Sequence, residues 1–157
     1  MELSRKAKNI QPSITLSITA KAKELKDAGV NVISFGVGEP DFNTPKNIIN
    51  EAVKAMNEGK TKYTAASGII ELKKAICNKF ERDNGLSYNT KQIIISTGGK
   101  QCLVNTFMSI INPGDEVLIP IPYWVSYPEL VKLADGVPVF VETDPNNDYK
   151  FTKESLE

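Results

Sequence analysis

The residues best suited to chemistry lie between positions 93 and 101, where an apolar β-branched run ends in two adjacent glycines and a lysine. A helical pattern begins directly after Gly98 and Gly99, so this order predicts a strand, a tight turn and a helix N-terminus. The first amides of a helix have no internal acceptor, and the helix dipole favours negative charge there. Glycines let those amides approach a phosphate closely. We predict a site for a phosphorylated small molecule, and a plain turn between strand and helix is the alternative.

Residue spacing excludes two common phosphate motifs. A P-loop ends in Gly-Lys-Ser/Thr, whereas Lys100 is followed by Gln101 and no earlier glycine stands in register. The second glycine cluster, residues 36–41, begins like a dinucleotide fingerprint but lacks its third glycine. Pro40 would also interrupt the helix that this fingerprint requires. A nucleotide-binding Rossmann domain is therefore a poor interpretation.

The composition excludes several classes of function. The chain has 157 residues, with 19 basic and 19 acidic side chains, so no basic excess favours a nucleic-acid partner. Histidine is absent, which removes serine–histidine catalysis and the usual zinc sites, and we expect no metal. No apolar run reaches membrane-spanning length, so we expect no membrane partner. Cys77 and Cys102 fall in apolar helical patterns, so we expect two buried thiols and a reducing, cytoplasmic location.

Helices and strands alternate along the chain and must position these residues. In the first half, cap and spacing signals predict helices from Ser13 to Gly29, from Thr44–Pro45 to Gly59 and from residue 69 to Gly85, with a strand at 32–35. In the second half, we predict strands at 92–96, 116–119 and 137–142, and helices at 100–111, 128–136 and from Thr152. This order favours a doubly wound parallel α/β sheet.

Three of these elements carry further expectations. The helix at 100–111 is apolar nearly all round, so we expect it to be buried. The apolar spacing of Ile49, Val53 and Met56 predicts the buried side of the helix after Pro45. An α/β sheet of this size would leave an open edge, and the final helix has only begun when the chain stops. We therefore expect the chain to be part of a longer protein.

Five segments, taken in order, resemble one family. They are Phe-Gly-Val-Gly-Glu-Pro-Asp-Phe at 35–42; Lys-Tyr-Thr at 62–64 with Gly68, Glu71 and Leu72; Thr-Gly-Gly-Lys-Gln at 97–101; Asn-Pro-Gly-Asp-Glu-Val at 112–117; and Pro-Tyr-Trp-Val-Ser-Tyr at 122–127. The chain resembles the N-terminal part of a class I aminotransferase, a fold-type-I pyridoxal-phosphate enzyme of the aspartate aminotransferase group. The resemblance implies a three-layer α/β/α fold with a mostly parallel sheet. It also implies an N-terminal arm and small-domain segment at 1–45 and an incomplete cofactor-binding large domain at 46–157.

The resemblance assigns cofactor-binding roles to several residues. Gly98, Gly99 and Lys100 match the turn that takes the phosphate of pyridoxal 5'-phosphate, mainly through backbone amides. Trp124 matches the aromatic side chain that stacks on the pyridine ring, where core packing is the alternative role. Tyr63 matches the tyrosine that reaches the cofactor phosphate of the opposite subunit in the family's dimers, although exposed loop tyrosines are common.

The resemblance also bears on substrate binding and on catalysis. Gly38 matches the glycine whose backbone meets the substrate α-carboxylate, and an ordinary loop glycine is the alternative. Lys100 is not the Schiff-base lysine, because the family's lysine lies far beyond residue 157. No catalytic residue is therefore expected within the chain, and we expect the 157 residues alone to be inactive.

The implied reaction is amino-group transfer between an amino acid, most simply aspartate, and a 2-oxo acid, carried out by a homodimer. Two alternatives remain open at this point. One is a different fold-type-I enzyme, a lyase or a decarboxylase, because the early motifs of these enzymes overlap. The other is a non-catalytic module whose sheet edge pairs with a partner.

Overall fold

The computed structural model describes residues 2–36 and 38–156. These residues form two compact units. One unit joins residues 1–38 to residues 103–157, and we call it the sheet unit. The other contains residues 39–102, and we call it the helical unit. The boundary at residue 102 falls inside a helix.

The six predicted helices and two of the four predicted strands are present, and α1 is a further helix that was not predicted. The α-helices are α1 (Arg5–Asn9), α2 (Ile14–Asp27), α3 (Lys46–Asn57), α4 (Ile70–Asn84), α5 (Gly99–Ile110), α6 (Tyr127–Leu133) and α7 (Lys153–Leu156). The strands are β1 (Glu116–Ile121) and β2 (Val137–Glu142), and short 3-10 turns occupy Thr90–Gln92 and Pro145–Asn147. No helix in the described ranges is both long enough and apolar enough to cross a bilayer.

The core of the sheet unit is a β1–α6–β2 layer. The two strands pair in parallel, with a register running from Glu116 opposite Val137 to Ile121 opposite Glu142. Helix α6 makes the crossover, and its Val131 is completely buried, with 0% of its surface exposed. Ile119 and Val141 are buried from the two strands. Packing is tight at Gly136, at the turn into β2. A Cβ on this residue would lie 2.9 Å from a methyl of Ile111.

Helix α1 is anchored to α6 by polar contacts. The Lys6 ammonium donates to the Leu133 carbonyl at 3.0 Å and pairs with the Asp135 carboxylate at 2.7 Å. The Gln11 amide donates to the Glu129 carboxylate at 3.0 Å. Partial burial raises the pKa of Glu129, but hydrogen bonds from Lys132 and Gln11 outweigh it, so the pKa lies below its ordinary value.

The helical unit is built around α4. This helix ends where Gly85 adopts a left-handed conformation, with φ of 65°, which a glycine tolerates without steric cost. Phe80 of α4 meets Tyr88 edge to face, with ring centroids 5.6 Å apart. Ile93, which follows the 3-10 turn, is buried with 8% of its surface exposed. The buried part of this unit therefore lies between α4 and the segment leading to Gly98.

Two predicted strands are wrong for this structure. Residues 32–35 and 92–96 form no strand, although Ile93 has extended backbone angles of −111° and 129°. A strand needs a hydrogen-bonded neighbour, and in the described ranges β1 and β2 pair only with each other. The Ile95 amide donates instead to a loop carbonyl, that of Ser67, at 3.1 Å. The helix-cap prediction at Thr44 is also wrong, because Pro45 occupies the cap position of α3 without a side-chain cap.

Several burial predictions are also wrong. Helix α5, expected to be buried, contains no buried residue, and Ile110 exposes 67% of its surface. The apolar side of α3 is exposed in the same way, since Met56 shows 59%. Cys102 is exposed and Cys77 is intermediate. The apolar pattern of a helix defines a face that can be buried, but burial requires a neighbouring element, and Leu103, Val104 and Phe107 of α5 are only partly covered.

Candidate functional site

The turn predicted to take a phosphate has the expected backbone geometry. Gly98 adopts φ of 85°, a left-handed conformation suited to glycine, and its amide donates to the Ser96 carbonyl at 2.9 Å. Helix α5 begins at Gly99, and the amides of Gln101 and Cys102 donate to the Gly98 carbonyl at 3.1 and 3.3 Å. The turn is thus fixed by its own hydrogen bonds, and the helix N-terminus comes immediately after it.

The amides of Gly99 and Lys100 are available to an external acceptor. Neither donates to any atom in the described part of the chain. A Cβ placed on Gly98 or on Gly99 would meet nothing within 4 Å, so the space beside the turn is open. Two free amides at the positive end of a twelve-residue helix fit the phosphate of a cofactor such as pyridoxal phosphate. The helix dipole adds about 0.3–1 kcal/mol for an exposed anion.

The helical unit supports this turn through a close contact that the sequence analysis missed. Gly68, with φ of 99°, packs so tightly that a Cβ there would lie 2.3 Å from Cγ1 of Ile95. The adjacent Ser67 carbonyl accepts the Ile95 hydrogen bond described above. Because Ile95 leads directly into Gly98, the loop before α4 and the phosphate turn are joined. The only sequence signal for this contact was a glycine in the matched motif.

Tyr63 belongs to the same unit as the turn and lies in the loop between α3 and α4. Its side chain is fully exposed, and it forms no hydrogen bond or ring contact with any described residue. Such a side chain is free to meet a ligand or another subunit. Its predicted role is not tested by these contacts.

Trp124 lies in the sheet unit, just after the carboxyl end of β1. It follows a cis peptide bond between Ile121 and Pro122, and 51% of its surface is exposed. The Trp124 carbonyl accepts the Tyr127 amide at 3.0 Å, which starts α6. This exposure argues against a core-packing role. Ligands of α/β proteins bind outside the carboxyl ends of parallel strands, where this ring lies.

The residues just before Trp124 are tied to β2 and its following residue by two contacts. The Thr143 hydroxyl donates to the Ile121 carbonyl, which ties the end of β1 to the residue after β2. Tyr123 stacks on Phe140 of β2 with ring centroids 5.1 Å apart and planes inclined by 21°. The indole therefore projects from a fixed backbone.

The remaining predicted site residue is Gly38, also in the sheet unit. A Cβ there would meet nothing within 4 Å. The structure thus brings Gly98, Gly99 and Lys100 together at one helix end and places Tyr63 within the same unit. Trp124 and Gly38 belong to the other unit.

Comparisons with known proteins place the chain in a family. The model of the family "Aminotransferase class I and II" matches residues 30–157. The chain is 54% identical over 154 residues to an aspartate aminotransferase of Bacillus sp. strain YM-2, covering 98% of the chain and 39% of that protein. It is 54% identical over 155 residues to an aspartate/prephenate aminotransferase of Cereibacter sphaeroides, covering 99% of the chain and 39% of that protein.

A solved structure agrees with these matches. The structure of this chain resembles that of the aspartate aminotransferase from Thermus thermophilus with maleate, with a TM-score of 0.93 and 46% identity. That match covers 99% of this chain and 41% of the solved chain, and it confirms the predicted α/β fold class. The chain spans 39% of the length of both curated relatives. Since the family model matches most of its residues, the chain belongs to the class I and II aminotransferases.

Proposed function

We propose that the protein is a pyridoxal-phosphate-dependent aminotransferase that exchanges an amino group between aspartate and a 2-oxo acid. The observation that carries this proposal is the open pair of amides at Gly99 and Lys100, at the start of α5, in a chain of the aminotransferase family. The names of the relatives support aspartate as the amino acid. We propose this activity for a protein of the relatives' full length, of which the chain spans 39%.

In this proposal, different residues bind different parts of the cofactor and the substrate. The amides that follow Gly98 bind the phosphate, and the Lys100 ammonium adds positive charge beside it. Trp124 offers its exposed face to the pyridine ring, which fixes the plane of the ring. When bound, pyridoxal phosphate supplies an electron sink for charge developing at the substrate Cα. The Gly38 backbone faces the substrate carboxylate, where a side chain would obstruct the approach.

We also propose a division of the chain into domains. An arm and small-domain segment spans residues 1–45, and an incomplete cofactor-binding large domain spans residues 46–157. We also propose a homodimer in which the exposed Tyr63 side chain reaches the phosphate bound by the partner subunit. The cytoplasmic location stays a prediction.

The test is an amino-transfer assay on the protein expressed from its complete reading frame. With pyridoxal phosphate and a 2-oxo acid present, we expect aspartate to be converted to its oxo acid, with stoichiometric formation of the new amino acid. Cofactor binding followed by release of carbon dioxide or elimination products would identify a different fold-type-I reaction. Failure to bind the cofactor would contradict the proposal altogether.

A further inference from the structure

Lys73 is the only buried polar or charged residue among those that the structure describes, with 7% of its surface exposed. It lies on the most buried side of α4, in line with Ile76, Cys77 and Phe80. An ammonium group removed from water is costly unless a partner compensates for the lost hydration. The contacts of Lys73 therefore indicate what the charge does.

The partner of Lys73 is the loop before its own helix. The Lys73 ammonium donates to the Ser67 hydroxyl oxygen at 2.5 Å. The carbonyl of the same serine accepts the Ile95 amide at 3.1 Å, and the next residue, Gly68, packs against the Ile95 side chain. Ser67 thus receives one hydrogen bond from α4 and one from the segment leading to the phosphate turn.

These contacts link two parts of the candidate site. Tyr63 precedes Ser67 in the same loop, and Ile95 precedes Gly98 in the segment that enters α5. An apolar side chain of similar volume would fill the space of Lys73 without the desolvation cost, so stability alone gives no reason for a lysine. The charge instead fixes the orientation of the Ser67 hydroxyl and of the loop that carries it.

We propose that Lys73 is a positioning residue for the cofactor-phosphate site. Through Ser67 it holds the Tyr63 loop against residues 93–95, and so it sets the position of the turn at Gly98. This inference rests on the proposed function for the identity of the ligand, but the contact between loop and turn can be tested without any ligand.

The test compares Lys73→Met with Lys74→Met in the protein expressed from its complete reading frame. Lys74 is the exposed neighbour on the same helix and serves as the matched control. Without cofactor, we expect the Ile95 amide of Lys73→Met to exchange with solvent roughly tenfold faster, the effect of losing one hydrogen bond to a charged group. The thermal midpoint should stay unchanged or rise, and Lys73→Arg should restore slow exchange.

The ligand arm uses pyridoxal phosphate and pyridoxal, which lacks the phosphate. Lys73→Met should weaken the binding of pyridoxal phosphate roughly tenfold and leave the binding of pyridoxal unchanged, because only the phosphate site shifts. Ser67→Ala, which removes the acceptor alone, should act in the same direction and covers the case in which Lys73→Met fails to fold.

Three outcomes separate the possibilities. Exchange at Ile95 equal in Lys73→Met and the unsubstituted protein would overturn the positioning role. An equal loss of affinity for both ligands would also overturn it, since that is the mark of general structural damage. If the unsubstituted protein binds neither ligand, the proposed function fails, and the exchange arm alone decides whether Lys73 positions the loop.

Discussion

The apolar side chains of the β1–α6–β2 layer and those of helix α3 differ in their exposure to solvent. In the layer, Val131 is completely buried and Ile119 exposes only 3% of its surface. In α3, the apolar side chains at the same kind of helical spacing are open to solvent, and Val53 exposes 46%. Both regions have regular secondary structure with sharp ends. A regular helix therefore need not be a buried one, since burial depends on whether a second element lies alongside.

Valine-to-alanine substitutions should affect stability very differently in the buried layer and in α3. In the 157-residue chain, Val131→Ala should lower the free energy of unfolding by about 2–3 kcal/mol, since it removes two buried methyl groups and leaves a cavity. Val53→Ala is the matched control and should change it by no more than about 0.5 kcal/mol. Urea denaturation measures both. Equal losses would mean that α3 is covered after all.

Trp124 is an exposed side chain whose loss should affect binding more than stability. Replacing Trp124 by alanine should change the stability of the protein little, because about half of the residue's surface is already exposed to water. The affinity for pyridoxal phosphate should fall about tenfold, as expected for loss of one aromatic stacking contact. A titration that follows the absorption band of the cofactor measures this affinity. An unchanged affinity and spectrum would remove Trp124 from the site.

The smallest effect concerns a group between the two extremes, the partly buried Glu129. Its pKa is lowered in the folded chain, so its contribution to stability is complete above its ordinary pKa and is lost as the pH falls through the lowered value. We expect the NMR shift of the Gln11 amide, which donates to this carboxylate, to titrate below about pH 4.5. Glu129→Gln should abolish that titration. A Gln11 shift that does not respond to the substitution would exclude the contact.

Local signals made much of the fold predictable. Ser13 accepts the Leu16 amide at the start of α2, as a cap residue should, and the predicted end of α4 at Gly85 is confirmed. Strand β2 has its predicted bounds, because the turns on either side are encoded in adjacent residues. The segments at 32–35 and 92–96 were wrongly predicted as strands. A strand needs a hydrogen-bonded partner strand, and the local sequence does not show whether one is present.

The candidate site shows the same division. The turn at Gly98 was predictable because its glycines, its preceding apolar run and its helix are contiguous in sequence. Lys73 was not predicted, although a lysine four residues after Ile69 and three before Ile76 stands on the apolar side of the helix. A charge at such a position indicates a side chain that needs a polar partner when it is buried. The roles of Trp124 and Tyr63 rest on the family resemblance and stay predictions.

Gly99→Val tests whether the Gly98–Lys100 turn binds the cofactor phosphate. A Cβ at this position meets nothing within 4 Å, so the variant should fold normally while its side chain occupies the space beside the free amides. We predict that pyridoxal phosphate binding falls at least about tenfold while pyridoxal binding is unchanged. Equal affinities of the variant and the unsubstituted protein for pyridoxal phosphate would show that this turn does not bind the phosphate.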